Sequence, residues 1–138
     1  MIAYLDTSAL LRLVLREAGA LSELRSCSAL VSSELLAVEA LRTLDRLRLQ
    51  GALSSEEAAA RRASVTEWLE AVDLVLLQPP ILARACEPFP TPLGTLDALH
   101  LATALVWRDR MHPTFVLATH DGRLALAARS FGIEVLGA

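Results

Sequence analysis

Short apolar segments alternate with longer segments of helical periodicity along this chain of 138 residues. The apolar segments predict five strands, at residues 2–5, 29–31, 74–77, 114–118 and 133–136. Because strands that alternate with helices are joined by right-handed crossovers, this order predicts a parallel sheet with helices on both faces. We therefore expect residues 1–138 to form one domain, a three-layer α/β/α sandwich.

Helices are expected between these strands, at residues 8–15, 18–25, 33–50, 54–71, 81–86, 96–108 and 122–130. Ser54, followed three residues later by Glu57, has the pattern of a capping box. In this motif each side chain bonds the backbone N–H of the other residue, which fixes the start of the helix.

The composition favours a protein that buries much of its surface. Hydrophobic residues make up 54% of the chain, and the mean hydropathy is +0.44. This excess, with Trp68 and Trp107 on predicted helices, favours a homodimer. No apolar stretch reaches the roughly 18 residues of a membrane span, and MIAYLDTS lacks the basic region of a signal peptide. Cys27 and Cys86 are far apart, so we expect reduced thiols and a cytoplasmic location.

The basic residues exclude several classes of function, because all 13 of them are arginine. Without lysine the chain has neither the phosphate-binding lysine of a P-loop nor a lysine for Schiff-base chemistry. The net charge of −3 argues against nucleic-acid binding by bulk charge alone. It is compatible with a nuclease whose acidic groups are clustered around a metal ion.

Two predicted strands are followed by an aspartate: Asp6 after the first and Asp121 after the fourth. In an open parallel sheet, ligands bind at the carboxyl ends of the strands, where the strand order reverses. If the first and fourth strands are neighbours, these two acids converge. Taken alone, each aspartate is better explained as the N-cap of the helix that follows it.

A third acid, Asp97, lies on the apolar helix LGTLDALHLATALVW. At 100° per residue it shares a stripe with Leu101 and Ala104, so its carboxylate is expected to be buried and to need a partner. A metal ion, Arg108 and a backbone amine are the candidates. His100 flanks the same stripe, where a packing histidine is a simpler interpretation than a metal ligand.

The fourth acid is Glu39, in the segment SSELLAVEALRTLDRL, beside the expected core stripe of its helix. A helix-edge interaction with Arg42 or Thr43 explains it equally well. Glu34 is explained by the helix dipole in the first turn, and Asp45 by exposure to solvent on the opposite face.

Four acids at one site have a definite physical consequence. Two carboxylates 5 Å apart repel each other by roughly 3 kcal/mol at an effective dielectric of about 20. Either some are protonated or a divalent cation lies among them, and oxygen ligands favour Mg²⁺ or Mn²⁺. Such a site suits phosphodiester hydrolysis, with Thr7, Ser8 and Thr119 orienting water or ligands.

Four segments, in this order and spacing, resemble the PIN-domain ribonucleases. They are DTSALL, SSELLAVEALR, TLDALHLATAL and LATHDGRLALAA, the last followed by GIEVL. Within that family the chain is most similar to the single-domain VapC-type toxins of prokaryotic toxin–antitoxin pairs, and the resemblance covers the whole chain.

The resemblance implies a five-stranded parallel sheet, RNA cleavage that depends on Mg²⁺ or Mn²⁺, and a homodimer. It also implies inhibition by a small VapB-like antitoxin whose C-terminal segment crosses the active-site groove. Four positions match the acidic metal-binding quartet of the family: Asp6, Glu39, Asp97 and Asp121. Thr7 and Thr119 match polar positions beside it, and Arg42 a basic one, whereas His120 matches no role. Contacts with RNA phosphates are expected from arginines near the groove: Arg12, Arg16, Arg42, Arg46 and Arg123.

Three alternatives compete with this hypothesis. A phosphatase of the haloacid-dehalogenase type needs an acid two residues after Asp6, where Ser8 stands. A receiver domain needs an acidic pair and a lysine, and the chain contains no lysine. A non-enzymatic PIN-like interaction module is expected to have lost one of the acids, and all four are present.

Overall fold

The computed structural model describes residues 1–111 and 113–138. Its centre is a sheet of five parallel strands in the order β3-β2-β1-β4-β5. The strands are β1 (Ile2–Leu5), β2 (Ala29–Ser33), β3 (Val72–Val75), β4 (Val116–Ala118) and β5 (Glu134–Leu136). The predicted fold class, an α/β sandwich with a five-stranded parallel sheet, is confirmed.

The described residues form six α-helices around the sheet: α1 (Thr7–Val14), α2 (Leu35–Leu49), α3 (Ser55–Glu70), α4 (Pro79–Ala85), α5 (Thr95–Met111) and α6 (Gly122–Ser130). Side chains alternate across β1, as the twofold period of a strand requires. Ala3 and Leu5 pack with α1, α2 and α3 in one core. Tyr4 packs with α5 and α6 in the other core. None of the helices described is long and apolar enough to cross a membrane.

The strand order reverses between β1 and β4. The chain adds β2 and β3 on one side of β1, then crosses to β4 on the other side. Leu5 is in register with Ala118, so the residues after both strands emerge side by side. The two strands are therefore neighbours, the condition that the convergence of Asp6 and Asp121 required.

Several predicted elements differ from the structure in their type or bounds. Residues 18–25 are not an α-helix, because Arg16 and Gly19 have φ of 57° and 76°, which breaks the helical path. A short 3₁₀ helix, Ser22–Ser26, follows instead. The third strand comes two residues earlier than predicted, where its apolar residues pair with β2. The second strand continues to Ser33, so α2 begins at Leu35.

The capping box at the start of α3 is confirmed: the Glu57 N–H donates to Ser54 Oγ at 3.0 Å, and the Ser54 N–H to Glu57 Oε1 at 3.2 Å. We expect Ser54→Ala to lower the free energy of unfolding by about 1 kcal/mol in urea denaturation, because it leaves a helix N–H unpaired. The neighbouring Ser55→Ala is the matched control and is expected to change stability by less than about 0.5 kcal/mol. Equal losses in the two variants would contradict the prediction.

Candidate metal centre and active site

Asp6 is the first residue after β1 and is only 4% exposed. It caps α1, as the N-cap interpretation predicted, by accepting from the Ser8 N–H at 3.3 Å. The same oxygen, Oδ2, accepts from Ser8 Oγ at 2.5 Å and from Thr119 Oγ1 at 2.8 Å. Three donors therefore fix this carboxylate through one oxygen, and capping and a place in the site are compatible.

Asp121 caps α6 in the same way. Its Oδ1 accepts from the backbone N–H groups of Arg123 and Leu124 at 2.8 and 3.0 Å. Thr119 links the two aspartates, because its hydroxyl donates to Asp6 and accepts from the Asp121 N–H at 3.0 Å. The His120 N–H donates to Ser8 Oγ at 2.9 Å. The loop after β4 is thus bonded to the start of α1, as the alignment of β1 with β4 allows.

Glu39 extends from α2 over the carboxyl end of the sheet. His100 Nε2 lies 2.6 Å from Glu39 Oε1, and Thr7 Oγ1 donates to the same oxygen at 3.1 Å. The alternative of an ion pair with Arg42 is wrong, since Arg42 Nη1 donates to Asp45 Oδ2 at 3.1 Å. Asp45 is therefore ion-paired instead of merely solvated, and Arg42, with 69% of its side chain exposed, belongs to that surface pair.

Asp97 occupies the first turn of α5 and is half-buried. Burial, followed by the negative charges of Asp121, Asp6 and Glu39, raises the pKa of Asp97 to about 6, against a partial opposing effect of His100. The negative charges of the other three predicted acids thus act on Asp97 at this edge of the sheet.

The partner of Asp97 is not Arg108. Arg108 Nη1 donates to the Phe131 carbonyl oxygen at 2.7 Å. Among residues 1–111 and 113–138, no hydrogen bond to the Asp97 carboxylate was found. Of the three partners expected for this acid, a cation is the one that the surrounding negative charge favours.

His100 is completely buried, and sequence reasoning underestimated its part in the site. Tyr4 Oη lies 3.1 Å from its Nδ1, and Glu39 accepts from its Nε2. Burial by itself lowers the pKa of His100, but the Glu39 hydrogen bond and the charges of Asp6, Glu39 and Asp97 raise it above the ordinary value. Burial raises the pKa of the Tyr4 hydroxyl far above its usual range, so this group keeps its proton. The available signal was the spacing of His100, one helical turn after Asp97.

The donors suit a hard divalent cation. Asp6, Glu39 and Asp121 are each anchored through one oxygen. Within the described parts of the chain, the second oxygen of each accepts no hydrogen bond. Oxygen donors of this kind are those that Mg²⁺ and Mn²⁺ prefer. Over the same residues, no three His, Cys, Asp or Glu side chains are already gathered closely enough to hold an ion. These residues therefore fit a divalent cation by the chemistry of their oxygen donors and by their negative charge, and not by a coordination geometry that is already formed.

The raised pKa of Asp97 predicts how stability depends on pH. Its carboxylate is disfavoured in the folded protein, so the wild type loses stability as the pH rises from 3.8 through about 6. In metal-free buffer at about pH 7.5, Asp97→Asn is expected to raise the free energy of unfolding by about 1 kcal/mol, a value discounted because solvent screens this half-buried group. The gain is expected to vanish below about pH 3, where both the folded and the unfolded wild type hold the proton. Urea denaturation at the two pH values measures the difference.

Asp45→Asn is the matched control. It removes the same charge from a partly exposed surface position, where the hydrogen bond from Arg48 lowers the carboxyl pKa. We expect it to leave stability unchanged or lower at about pH 7.5. A stabilising effect of the same size in both variants would mean that general charge reduction, and not the acid cluster, is responsible.

Comparison with known proteins agrees with this geometry. The family model described as PIN domain matches residues 3–129, a range that includes all four acids. The chain is 36% identical over 137 residues to Ribonuclease VapC46 of Mycobacterium tuberculosis, covering 96% of this chain and 95% of that protein. The match thus extends from β1, which Asp6 follows, into α6, which Asp121 caps. The chain belongs to the PIN-domain family.

Proposed function

We propose that this protein is a VapC-type toxin, a Mg²⁺- or Mn²⁺-dependent endoribonuclease that hydrolyses RNA phosphodiester bonds at Asp6, Glu39, Asp97 and Asp121. The observation that carries the proposal is the placement of Asp6 and Asp121 side by side after the adjacent strands β1 and β4, joined through Thr119. Glu39 and Asp97 come from helices, and the charge of Glu39 acts on Asp97 together with those of the two aspartates. The similarity to a protein named as a ribonuclease supports RNA as the substrate class.

The four carboxylates are the residues that would hold the cation. When bound, such an ion activates a water molecule and stabilises negative charge on the phosphate oxygens. The contribution of the chain is to fix the carboxylates before substrate arrives. Ser8 and Thr119 hold Asp6, and Thr7 holds Glu39. These bonds limit the reorganisation that ligand binding would otherwise require.

A cleft beside the acids supports RNA as the substrate. It has a volume of about 380 Å³, and its lining includes Ser8, Arg12, His120 and Asp121. Arg12 is the arginine of this lining; its Nη1 lies 3.2 Å from His120 Nδ1, and its Nε lies 3.6 Å from Oε2 of Glu17, which also lines the cleft. An arginine next to the acid cluster suits a phosphate of the RNA backbone on one side of the bond to be cut.

The proposal extends to partners and location. The family resemblance supports one PIN domain over residues 1–138, a homodimer, inhibition by a small VapB-like antitoxin, and a cytoplasmic location. Large apolar side chains at the surface favour a self-association face; Val38 is 60% exposed, Leu76 59% and Leu82 44%. Cys27 and Cys86 are free thiols, as expected in a reducing compartment.

Loss of a metal-holding carboxylate is expected to abolish cleavage. With purified protein, Mg²⁺ or Mn²⁺ and a mixture of tRNA and rRNA, we expect Asp6→Asn and Asp97→Asn each to lower the cleavage rate by more than about 100-fold. Chelation by EDTA is expected to stop the wild type, and Mn²⁺ to restore it. Growth arrest on expression in bacteria is expected to disappear with the same substitutions.

Asp45→Asn is again the control, since Asp45 lies in a surface ion pair. It is expected to cut RNA at the wild-type rate. If the wild type cuts none of these RNAs and growth arrest persists in Asp97→Asn, the nuclease proposal fails and a PIN-like interaction module is the better description.

The dimer is tested separately by light scattering at micromolar concentration without partners. We expect twice the monomer mass of 14.9 kDa. Because the exposed apolar side chains are the proposed contact, replacing Leu76 and Leu82 by Asp is expected to shift the protein to monomer, while its far-ultraviolet circular dichroism remains unchanged. A monomeric wild type would refute this part of the proposal.

A further inference from the structure

The pair formed by Tyr4 and His100 lies beneath the acid cluster and is fully buried. Tyr4 comes from β1, two residues before Asp6, and His100 from α5, one helical turn after Asp97. The pair thus connects the strand and the helix that supply two of the four acids. The rings meet edge to face, with their centroids 6.0 Å apart.

Both ring nitrogens of His100 already have protein partners. Nδ1 is 3.1 Å from Tyr4 Oη, and Nε2 is 2.6 Å from Glu39 Oε1. A nitrogen engaged in this way does not at the same time coordinate a cation. The position of the ring therefore suits a group that orients a ligand of the metal, not a ligand itself.

The direction of the hydrogen bonds follows from the chemistry of the partners. An ionised carboxylate only accepts hydrogen bonds, so the short contact with Glu39 requires a proton on His100 Nε2. In the neutral ring Nδ1 then accepts from the Tyr4 hydroxyl, and in the charged ring the Nδ1–H donates to the Tyr4 oxygen. In both forms Nε2–H donates to Glu39.

This arrangement determines which carboxylate oxygen of Glu39 is left for the site. Its Oε1 accepts hydrogen bonds from His100 Nε2 and from Thr7 Oγ1. These two donor atoms lie 3.4 Å apart. His100 Nε2 is also 4.0 Å from Asp6 Oδ1, so a hydrogen-bond donor lies between two acids that otherwise repel each other. Without the imidazole, Glu39 would lose both its fixed orientation and this separation from Asp6.

We propose that Tyr4 and His100 are positioning residues for metal binding: Tyr4 fixes the imidazole, and His100 Nε2–H holds Glu39 so that its second oxygen remains for the cation. This inference rests on the proposed function. It assigns to the two buried side chains a role in the affinity of the site, in addition to their packing in the core.

The test compares His100→Ala, Tyr4→Phe and His100→Gln in the full-length protein, with Mn²⁺ affinity measured by isothermal titration calorimetry. We expect His100→Ala to weaken Mn²⁺ binding by about 10- to 100-fold and Tyr4→Phe by a smaller factor. His100→Gln is expected to recover most of the affinity, because its amide N–H can replace Nε2–H as the donor to Glu39. A purely structural role would not give this rescue.

Phe115→Leu is the matched control. Phe115 is buried in the same core as Tyr4, where it packs against Trp107. Its shortening loosens that core without touching the His100 hydrogen bonds, and Mn²⁺ affinity is expected to stay within about 2-fold of the wild type. An equal loss of affinity in Phe115→Leu and Tyr4→Phe would overturn the inference in favour of general loosening.

A second readout does not depend on metal or activity. Correlation spectra of the ¹⁵N-labelled histidine rings are expected to show a proton on Nε2 of His100, and Tyr4→Phe to disturb this signal. A wild-type ring without a proton on Nε2 would overturn the inference. Should His100→Ala fail to fold, the spectrum and Tyr4→Phe still decide the question.

The nuclease function and the positioning role are refuted by different results. If the wild type binds Mn²⁺ and cuts RNA, and His100→Ala binds Mn²⁺ equally well, the positioning role is refuted and the nuclease remains. If the wild type binds Mn²⁺ without cutting RNA, the nuclease is refuted. The Mn²⁺ affinities of the Tyr4 and His100 variants then still test the positioning role. A wild type that does not bind Mn²⁺ refutes both.

Discussion

Repulsion between carboxylates at one edge of the sheet is the constraint to which the surrounding structure responds. Asp97 shows its effect most directly, because burial and the charges of Asp121, Asp6 and Glu39 raise its pKa to about 6. Because like charges placed close together lower stability, stability alone does not explain why these groups lie near one another. The protein holds them together with helix caps and buried hydroxyls, which each fix one oxygen and leave the charge in place.

The parallel sheet makes this gathering possible. Because β1 and β4 are adjacent and in register, the residues that follow them lie side by side at the switch point of the sheet. The backbone N–H of Asp6 even donates to the Ala118 carbonyl oxygen at 3.0 Å, which continues the strand pairing to the acid itself. Helices from both layers then complete the site: α2 brings Glu39 from one face of the sheet, and α5 brings Asp97 and His100 from the other.

Helix capping is compatible with the metal-binding role proposed for the same residues. Asp6 and Asp121 cap α1 and α6 through one oxygen each. Capping alone explains both residues, which is why their sequence positions left the question open. The metal-binding role proposed for them is supported by the neighbours that the fold supplies, above all Thr119, which donates to the Asp6 carboxylate and accepts from the Asp121 N–H. The same distinction applies to His100, which packs as a core residue and yet directs a hydrogen bond into the acid cluster.

The sequence by itself determined the parallel α/β class, the two acids at strand ends and the capping box of α3, because these follow from local periodicity and short-range hydrogen bonding. Local patterns did not place the third strand correctly, since its register depends on pairing with β2. They also left open whether Glu39 bonds Arg42 or something distant. Only the tertiary structure decided that it meets His100, 61 residues away, because contacts between layers depend on how the helices pack on the sheet and not on spacing along the chain.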